Sequence, residues 1–265
     1  MNESSIDNPI LRSEGSRVRV LTLNRPASRN ALDGPLHAAM LSAVRTVADE
    51  PEVRALVVTG AGDAFSAGGD FGLIEQMQTN PELRKATLNK SRALFWSLVS
   101  LEIPVIAAVN GPAVGAGATL ALLSDVVLMA EQAYLAEPRV SIGLVPGDGA
   151  AILWPLLVGV PAARAYLLTG DRMSAAEAHR LGLVHRVVEP DALLDEAMAL
   201  ADRLAGLSPH AVAATKRALA LQVETAALAG FEFAIDAESR SFDTPELRAT
   251  VRRHADRGGE PGGRR

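Results

Sequence analysis

Residues 17–24, RVRVLTLN, alternate polar and apolar positions, the two-residue period of a strand with one buried face. Residues 34–50 change period: Leu36, Met40, Leu41, Val44 and Val47 fall on one face of a helix. The run VRALVVTG at 53–60 is continuously apolar and stops at a glycine, which predicts a strand buried on both faces. PVIAAVNG at 104–111 and VVLMAE at 126–131 predict two more. Between them lie a glycine-rich loop at 60–71 and helices at 86–101 and 115–125. Helices are then expected near 149–158 and 161–169, and at 174–182, where Ser174 and Glu177 have capping-box spacing and Gly182 supplies a stop. LVHRVVE, 183–189, reads as a short strand, and from 191 to about 255 every window is helical.

Strands alternating with helices, followed by helices alone, predict an α/β core with a helical appendage. The core is assigned to residues 1–195, with about 15 flexible residues at its start. The helical region takes 196–255, and RGGEPGGRR leads to a disordered tail at 256–265.

Composition narrows the chemistry. The chain has 265 residues and a net charge of -5, with no broad basic face for nucleic acid. It has no cysteine, which removes disulfides, thiolate metal sites and thiol nucleophiles. None of the five histidines, His37, His179, His185, His210 and His254, has metal-ligand spacing, so no metal is expected. The polar start MNESSIDNPILRSEG lacks the apolar segment of a signal peptide, and apolar runs are broken by glycine or serine. A cytoplasmic protein without a membrane span is expected.

Two strand-to-helix turns carry the candidate chemistry: VVTGAGDAFSAGGDF and AAVNGPAVGAGATLAL. Each leaves backbone N–H groups unpaired beside a helix start, and glycine lets a ligand approach the backbone. Two such turns that converge can hold one oxyanion. The dinucleotide pattern fails at Phe65 and at Leu120, and neither a phosphate-binding P-loop nor a nucleophile elbow is present.

FSAGGDF at 65–71, with PVIAAVNGPAVGAGATLAL at 104–122, resembles the two signature loops of the enoyl-CoA hydratase/isomerase (crotonase) family. LNRPASRNAL at 23–32 resembles its N-terminal segment, and YLLTGDRMSAAEAHRLGLVHRVV at 166–188 its post-core segment. The resemblance extends from residue 17 to about residue 255. It implies an α/β fold, a crotonase-type spiral of ββα units, with a C-terminal helical region that builds a homotrimer or a hexamer (a dimer of trimers). It also implies an acyl-CoA substrate and a thioester enolate, with coenzyme A entering as part of the substrate and no other cofactor. The oxyanion donors would be the N–H groups of Gly69 and Ala116. Arg25, Arg29, Ala31, Ala67 and Asp70 would lie along the CoA side, and Arg253, or Arg252, would bring a basic group from the C-terminal helix.

Where the family's hydratases place two glutamates, this chain has Thr119 and Arg139. Glu137 would share the face of Arg139 if that segment were extended. Asp148, in the turn VPGDG, has two readings: a general base or water-positioning group, or the N-cap of a helix that starts near Gly149. Arg139 could hold Asp148 ionised or anchor a substrate carboxylate. Thr119 is a candidate substrate contact, Glu238 a further acid, and Trp96 and Trp154 core or pocket wall. Residues 143–159 are also similar to a branch of the family that includes a β-diketone hydrolase. Three functions therefore stand: an enoyl-CoA hydratase/isomerase-like enzyme, a C–C bond or thioester hydrolase using Asp148, and a non-catalytic acyl-CoA binder.

Overall fold

A computed structural model of the chain describes residues 8–13 and 17–256. Its strands are β1 (Ile10–Arg12), β2 (Val18–Leu23), β3 (Ala55–Gly60), β4 (Val105–Val109), β5 (Ala113–Val114), β6 (Val126–Ala130), β7 (Tyr134–Ala136), β8 (Arg172–Ser174) and β9 (Arg186–Val188). Six of them form one sheet in the order β1-β2-β3-β4-β6-β9, and β5-β7-β8 form a second. In the large sheet only β1 pairs antiparallel. The chain leaves β4 for β5 and β6 for β7, visiting the large sheet and then the small one. An isolated Ser66–Ala113 bridge brings the 60–70 loop to the same small sheet. This repeated passage is the spiral expected from the sequence.

The helices are α1 (Gly34–Ala48), α2 (Phe71–Thr79), α3 (Pro81–Val99), α4 (Ala116–Leu122), α5 (Arg139–Ile142), α6 (Ala150–Thr169), α7 (Ala175–Arg180), α8 (Leu193–Ala205), α9 (Pro209–Ser241) and α10 (Pro245–Asp256). The central strands β3 and β4 are buried on both faces, and Leu56, Val57, Val58 and Ile106 are fully enclosed. Each such side chain stabilises the fold by about 1.5–3 kcal/mol. That double burial is why their apolar runs are continuous rather than alternating. Helix α8 covers β2, β3, β4 and β6, while α1 packs on β1, β2 and α3.

Several expectations are corrected. Ile10–Arg12 are not loose: they pair with Leu21–Leu23. The rest of that N-terminal expectation, residues 1–7 and 14–16, and the tail at 257–265 lie outside the described residues. Helix α3 begins at Pro81, with Asn80 capping Leu83 N–H, and α2 was not anticipated. The two helices expected near 149–158 and 161–169 are both present: α6 is two helical stretches separated at Gly159 (φ 75°, ψ 157°), between Pro155 and Pro161. Despite those breaks, α6 and α9 are each long and apolar enough to cross a membrane by length and composition alone. Here α6 packs against α9, and α9 against α3. His185 precedes β9 rather than lying in it.

Candidate active site

The site begins with two loops that lock together by backbone contacts. The Asn30 side chain donates to the carbonyls of Ala61 (2.9 Å) and Ala64 (2.8 Å), which fixes the start of the first loop. Val114 N–H donates to Ser66 O (2.9 Å), joining the first loop to the second. Gly68 sits at the crossing with φ +91°, and a Cβ there would lie 2.6 Å from Val114 O and 3.8 Å from Ala116 N. Only glycine permits this approach. Leu32 N–H donates to Gly68 O (2.6 Å) and Ala67 N–H to Arg29 O (2.8 Å), so the 23–32 segment clamps the loop from outside. The N–H groups of Gly69 and Ala116 have no protein acceptor among the described residues.

Both of those residues line an inner cavity of roughly 180 Å³. Its walls are mostly apolar, including Leu73, Met77, Leu88 and Phe242, and its polar end holds Arg139, Asp148 and Glu238. An outer groove of roughly 950 Å³ shares Ala67, Gly69, Asp70 and Val114 with the inner cavity. Both free N–H groups therefore face the smaller pocket, and that of Gly69 stands where it joins the wide groove. A ligand with a long tail, a carbonyl and a short apolar head can occupy both spaces, with its carbonyl oxygen at the two donors.

The polar end is a buried ion cluster. Arg139, the first residue of α5, forks onto Glu137 through Nε–Oε1 (2.7 Å) and Nη2–Oε2 (2.6 Å). The same Nη2 donates to Asp148 Oδ1 (2.6 Å), which also accepts from Thr119 Oγ1 (3.0 Å). Glu238, from α9, stands 3.7 Å from Nη1. Burial alone would lower the Arg139 pKa, but Asp148, Glu137 and Glu238 raise it well above the ordinary guanidinium value. Burial pushes the Glu238 carboxyl up to about 8, with Asp148 and Glu137 adding to the effect and Arg139 opposing it. His37, on the inner wall, is lowered to about 4, first by burial and then by Lys90.

The sequence candidates divide accordingly. Gly69, Ala116, Arg139 and Asp148 come together in the inner cavity. Asp148 is not a helix cap: the N-cap of α6 is Gly149, and no side chain caps it. Glu137 is not on an extended segment with Arg139, because the chain turns into α5 there and the two pair with each other. Arg139 reaches the cavity with Nε and Nη2 already committed, so it is not a vacant anchor for a substrate carboxylate. Thr119 lines neither cavity; it is buried behind Asp148 and donates to it. Arg29, Ala31, Ala67 and Asp70 do line the outer groove, with Arg29 3.6 Å from Asp63 and Asp70 capping α2 through Leu73 N–H (2.9 Å). Arg25 turns to Asn24 O (3.3 Å) and is not on the groove wall. Arg253 is exposed and bonded to Thr250, and its neighbour His254 faces the groove instead, stacked 4.0 Å from Phe71. Trp154 is buried, and Trp96 packs edge-on against Phe95 and Phe231. The residue the sequence undervalued is Glu238, whose helical stretch offered no motif to mark it.

The two-sheet spiral and its paired strand-end loops define a crotonase-fold protein. A sequence model of the family described as enoyl-CoA hydratase/isomerase matches residues 13–260, and the chain belongs to that family. It is 37% identical over 243 residues to the 2,3-dehydroadipyl-CoA hydratase of Escherichia coli K12, covering 91% of each chain. It is 37% identical over 213 residues to the crotonyl-CoA hydratase of Syntrophomonas wolfei, covering 80% of this chain and 81% of that one. Its structure superposes on that of an enoyl-CoA hydratase/isomerase from Mycobacterium paratuberculosis with a TM-score of 0.90. Those two chains are 42% identical, with 94% of this chain and 99% of the other covered. The protein is therefore an acyl-CoA-acting enzyme of the crotonase family.

Proposed function

We propose that this enzyme performs enolate chemistry of the hydratase/isomerase type on a CoA thioester. The CoA portion lies in the outer groove past Arg29, Ala31 and Ala67, and the acyl group enters the inner cavity. The thioester oxygen sits between the N–H groups of Gly69 and Ala116, which stabilise negative charge as it develops. The observation that carries this reading is that, among the described residues, both N–H groups are unpaired on the inner cavity, with Gly69 also on the groove. Proton movement falls to the acids around Arg139, because Thr119 and Arg139 stand where the family's hydratases keep glutamates. This chemistry calls on no metal or redox cofactor, since backbone donors carry the oxyanion and carboxyl groups the protons. A cytoplasmic location suits such a substrate.

The exposed apolar residues Leu156, Leu157 and Val160 on α6, with Leu219, Leu228 and Phe233 on α9, suit burial against further copies of the chain. A trimer or a dimer of trimers is the assembly proposed, to be checked by light scattering. The functional test is turnover of crotonyl-CoA and of a panel of longer and aromatic enoyl-CoA esters, with calorimetry of CoA-ester binding. Absence of both turnover and binding refutes the reading, while tight binding without turnover of any ester makes the protein a non-catalytic acyl-CoA binder.

A second reading rests on Asp148. One of its oxygens is held by Arg139 and Thr119, and the other, Oδ2, has no protein donor among the described residues. That oxygen can orient a water for cleavage of a C–C bond or a thioester. Asp148→Asn should then abolish hydrolysis of an acyl-CoA or a cyclic 1,3-diketone. An unchanged hydrolytic rate removes the role.

A further inference from the structure

Three carboxyl groups, Glu137, Asp148 and Glu238, surround one guanidinium, that of Arg139, and all four side chains are buried. One cation cannot balance three anions away from water. His37, also on the cavity wall, is neutral at neutral pH and offsets nothing, and the remaining acid there, Asp70, brings no positive charge. The cluster must therefore hold at least one proton, and the geometry selects its first carrier, because the two other carboxylates are hydrogen-bonded to the cation. Glu137 takes a two-point fork, and Asp148 takes Arg139 Nη2 and Thr119. Glu238 has the 3.7 Å approach of Nη1, and its buried Oε2 faces the Gly147 backbone without a regular hydrogen bond, so it is the acid least held by the cation. A buried carboxyl with no hydrogen bond to the cation, on a residue that lines a substrate cavity, is a group available to a ligand.

Its position is built rather than incidental. Arg84 Nη1 donates to Ser239 O (3.1 Å), and Ser241 Oγ accepts from Val145 N–H (3.3 Å), pinning α9 just after Glu238. Phe231, two turns earlier, stacks on Phe95 with ring centres 4.4 Å apart. The turn that carries Asp148 leaves room for the carboxyl: a Cβ on Gly147 would lie 2.6 Å from Glu238 Oε2.

We propose that Glu238 is a catalytic acid of this site, its carboxyl O–H delivering a proton to the α-carbon of the enolate held at Gly69 and Ala116. This rests on the thioester reading above. The enolate's electron pair forms the new Cα–H bond and the carbonyl re-forms. The O–H bond of Glu238 breaks, its electrons stay on the carboxylate, and Arg139 Nη1 is adjacent to that new charge. In the reverse direction the carboxylate removes the α-proton. Glu238 thus supplies from the C-terminal helices the proton transfer that the residues at 119 and 139 do not.

The test is exchange of the α-protons of butyryl-CoA in D₂O, followed by NMR, beside calorimetric binding of the same ester. Wild-type protein should exchange them, at a rate that rises with pH and levels off above about pH 8, following Glu238. The isosteric Glu238→Gln should bind butyryl-CoA within about threefold of wild type yet exchange at least 100-fold more slowly, and its rising limb should vanish. Exchange by Glu238→Gln within about fivefold of wild type overturns the proposal, as does a wild type that binds the ester and never exchanges it. Joint loss of binding and exchange in the variant makes Glu238 a structural residue and overturns it too. A wild type that does not bind butyryl-CoA at all refutes the thioester reading itself, which is a separate failure.

Discussion

Replacing Arg139 by Met removes the one guanidinium that serves Glu137, Asp148 and Glu238 while keeping a long, unbranched side chain. Glu137, which is 0% exposed, then has neither a cation nor water. Breaking a buried pair by deleting one partner costs about 3–5 kcal/mol. The same figure follows from protonation. A carboxyl with a solution pKa near 4.3 that must stay neutral costs about 1.4 kcal/mol per pH unit above that value. That is about 4 kcal/mol at pH 7 and about 1 kcal/mol at pH 5. The sign follows from proton uptake: the variant's folded state binds protons that its unfolded state releases, so its stability falls as pH rises above about 4.3. Glu238, raised to about 8, imposes the same trend on the wild type, and that part cancels in the difference. Guanidinium denaturation of both proteins at pH 5 and pH 7 measures it. A deficit near 1 kcal/mol at pH 5 that grows to near 4 kcal/mol at pH 7 is expected. A deficit that does not change with pH would mean that Arg139 acts through packing and not through charge, and the account of the cluster would be wrong.

Gly68→Ala should lower stability by about 1–3 kcal/mol, because its Cβ meets Val114 O at 2.6 Å and the backbone is left-handed there. By displacing a donor it should reduce kcat on an enoyl-CoA by roughly 10²–10³-fold, and an unaltered kcat contradicts the oxyanion geometry. His37, lowered to about 4, should show flat ring-proton NMR shifts from pH 8 down to about 5.5. Its contribution to stability is complete above about pH 6.5 and is lost as pH falls toward 4, by roughly 3 kcal/mol in all; an inflection near 6.5 excludes that burial effect. Phe71→Ala removes the stack on His254 and with it about 0.5–1.5 kcal/mol between α2 and α10. Faster amide exchange confined to α10 is the expected signature, and no change means that the stack does not tether the helix.

The local readings that succeeded share one physical property. The burial of β3 and β4 on both faces writes itself as unbroken apolar runs, and the Ser174 cap of α7 accepts from Glu177 N–H as its spacing implied. The motifs FSAGGDF and GPAVGAGATL located both loops because close backbone approach leaves glycine little alternative. Short elements escaped: β5, β7 and β8 have two or three residues each, too few for a period to show. Helix α2 has a capping aspartate, Asp70, that reads equally well as the end of a glycine loop.

Charge was the part least open to inspection along the chain. The turn VPGDG offered Asp148 as either a base or a helix cap, and both fit the residues. The structure decided the matter by carrying Arg139 and Thr119 to the same carboxylate oxygen, across 9 and 29 positions of sequence. Glu238 has no motif of its own, and its pKa comes from desolvation and from neighbours on other elements, which spacing does not encode. The amino-acid sequence by itself determined the family, the sheet-and-helix order and the two oxyanion loops, because those follow from local periodicity and backbone sterics. Only the tertiary structure decided which acids share a pocket and which of them keeps a proton, because that depends on long-range contacts and on exclusion from water.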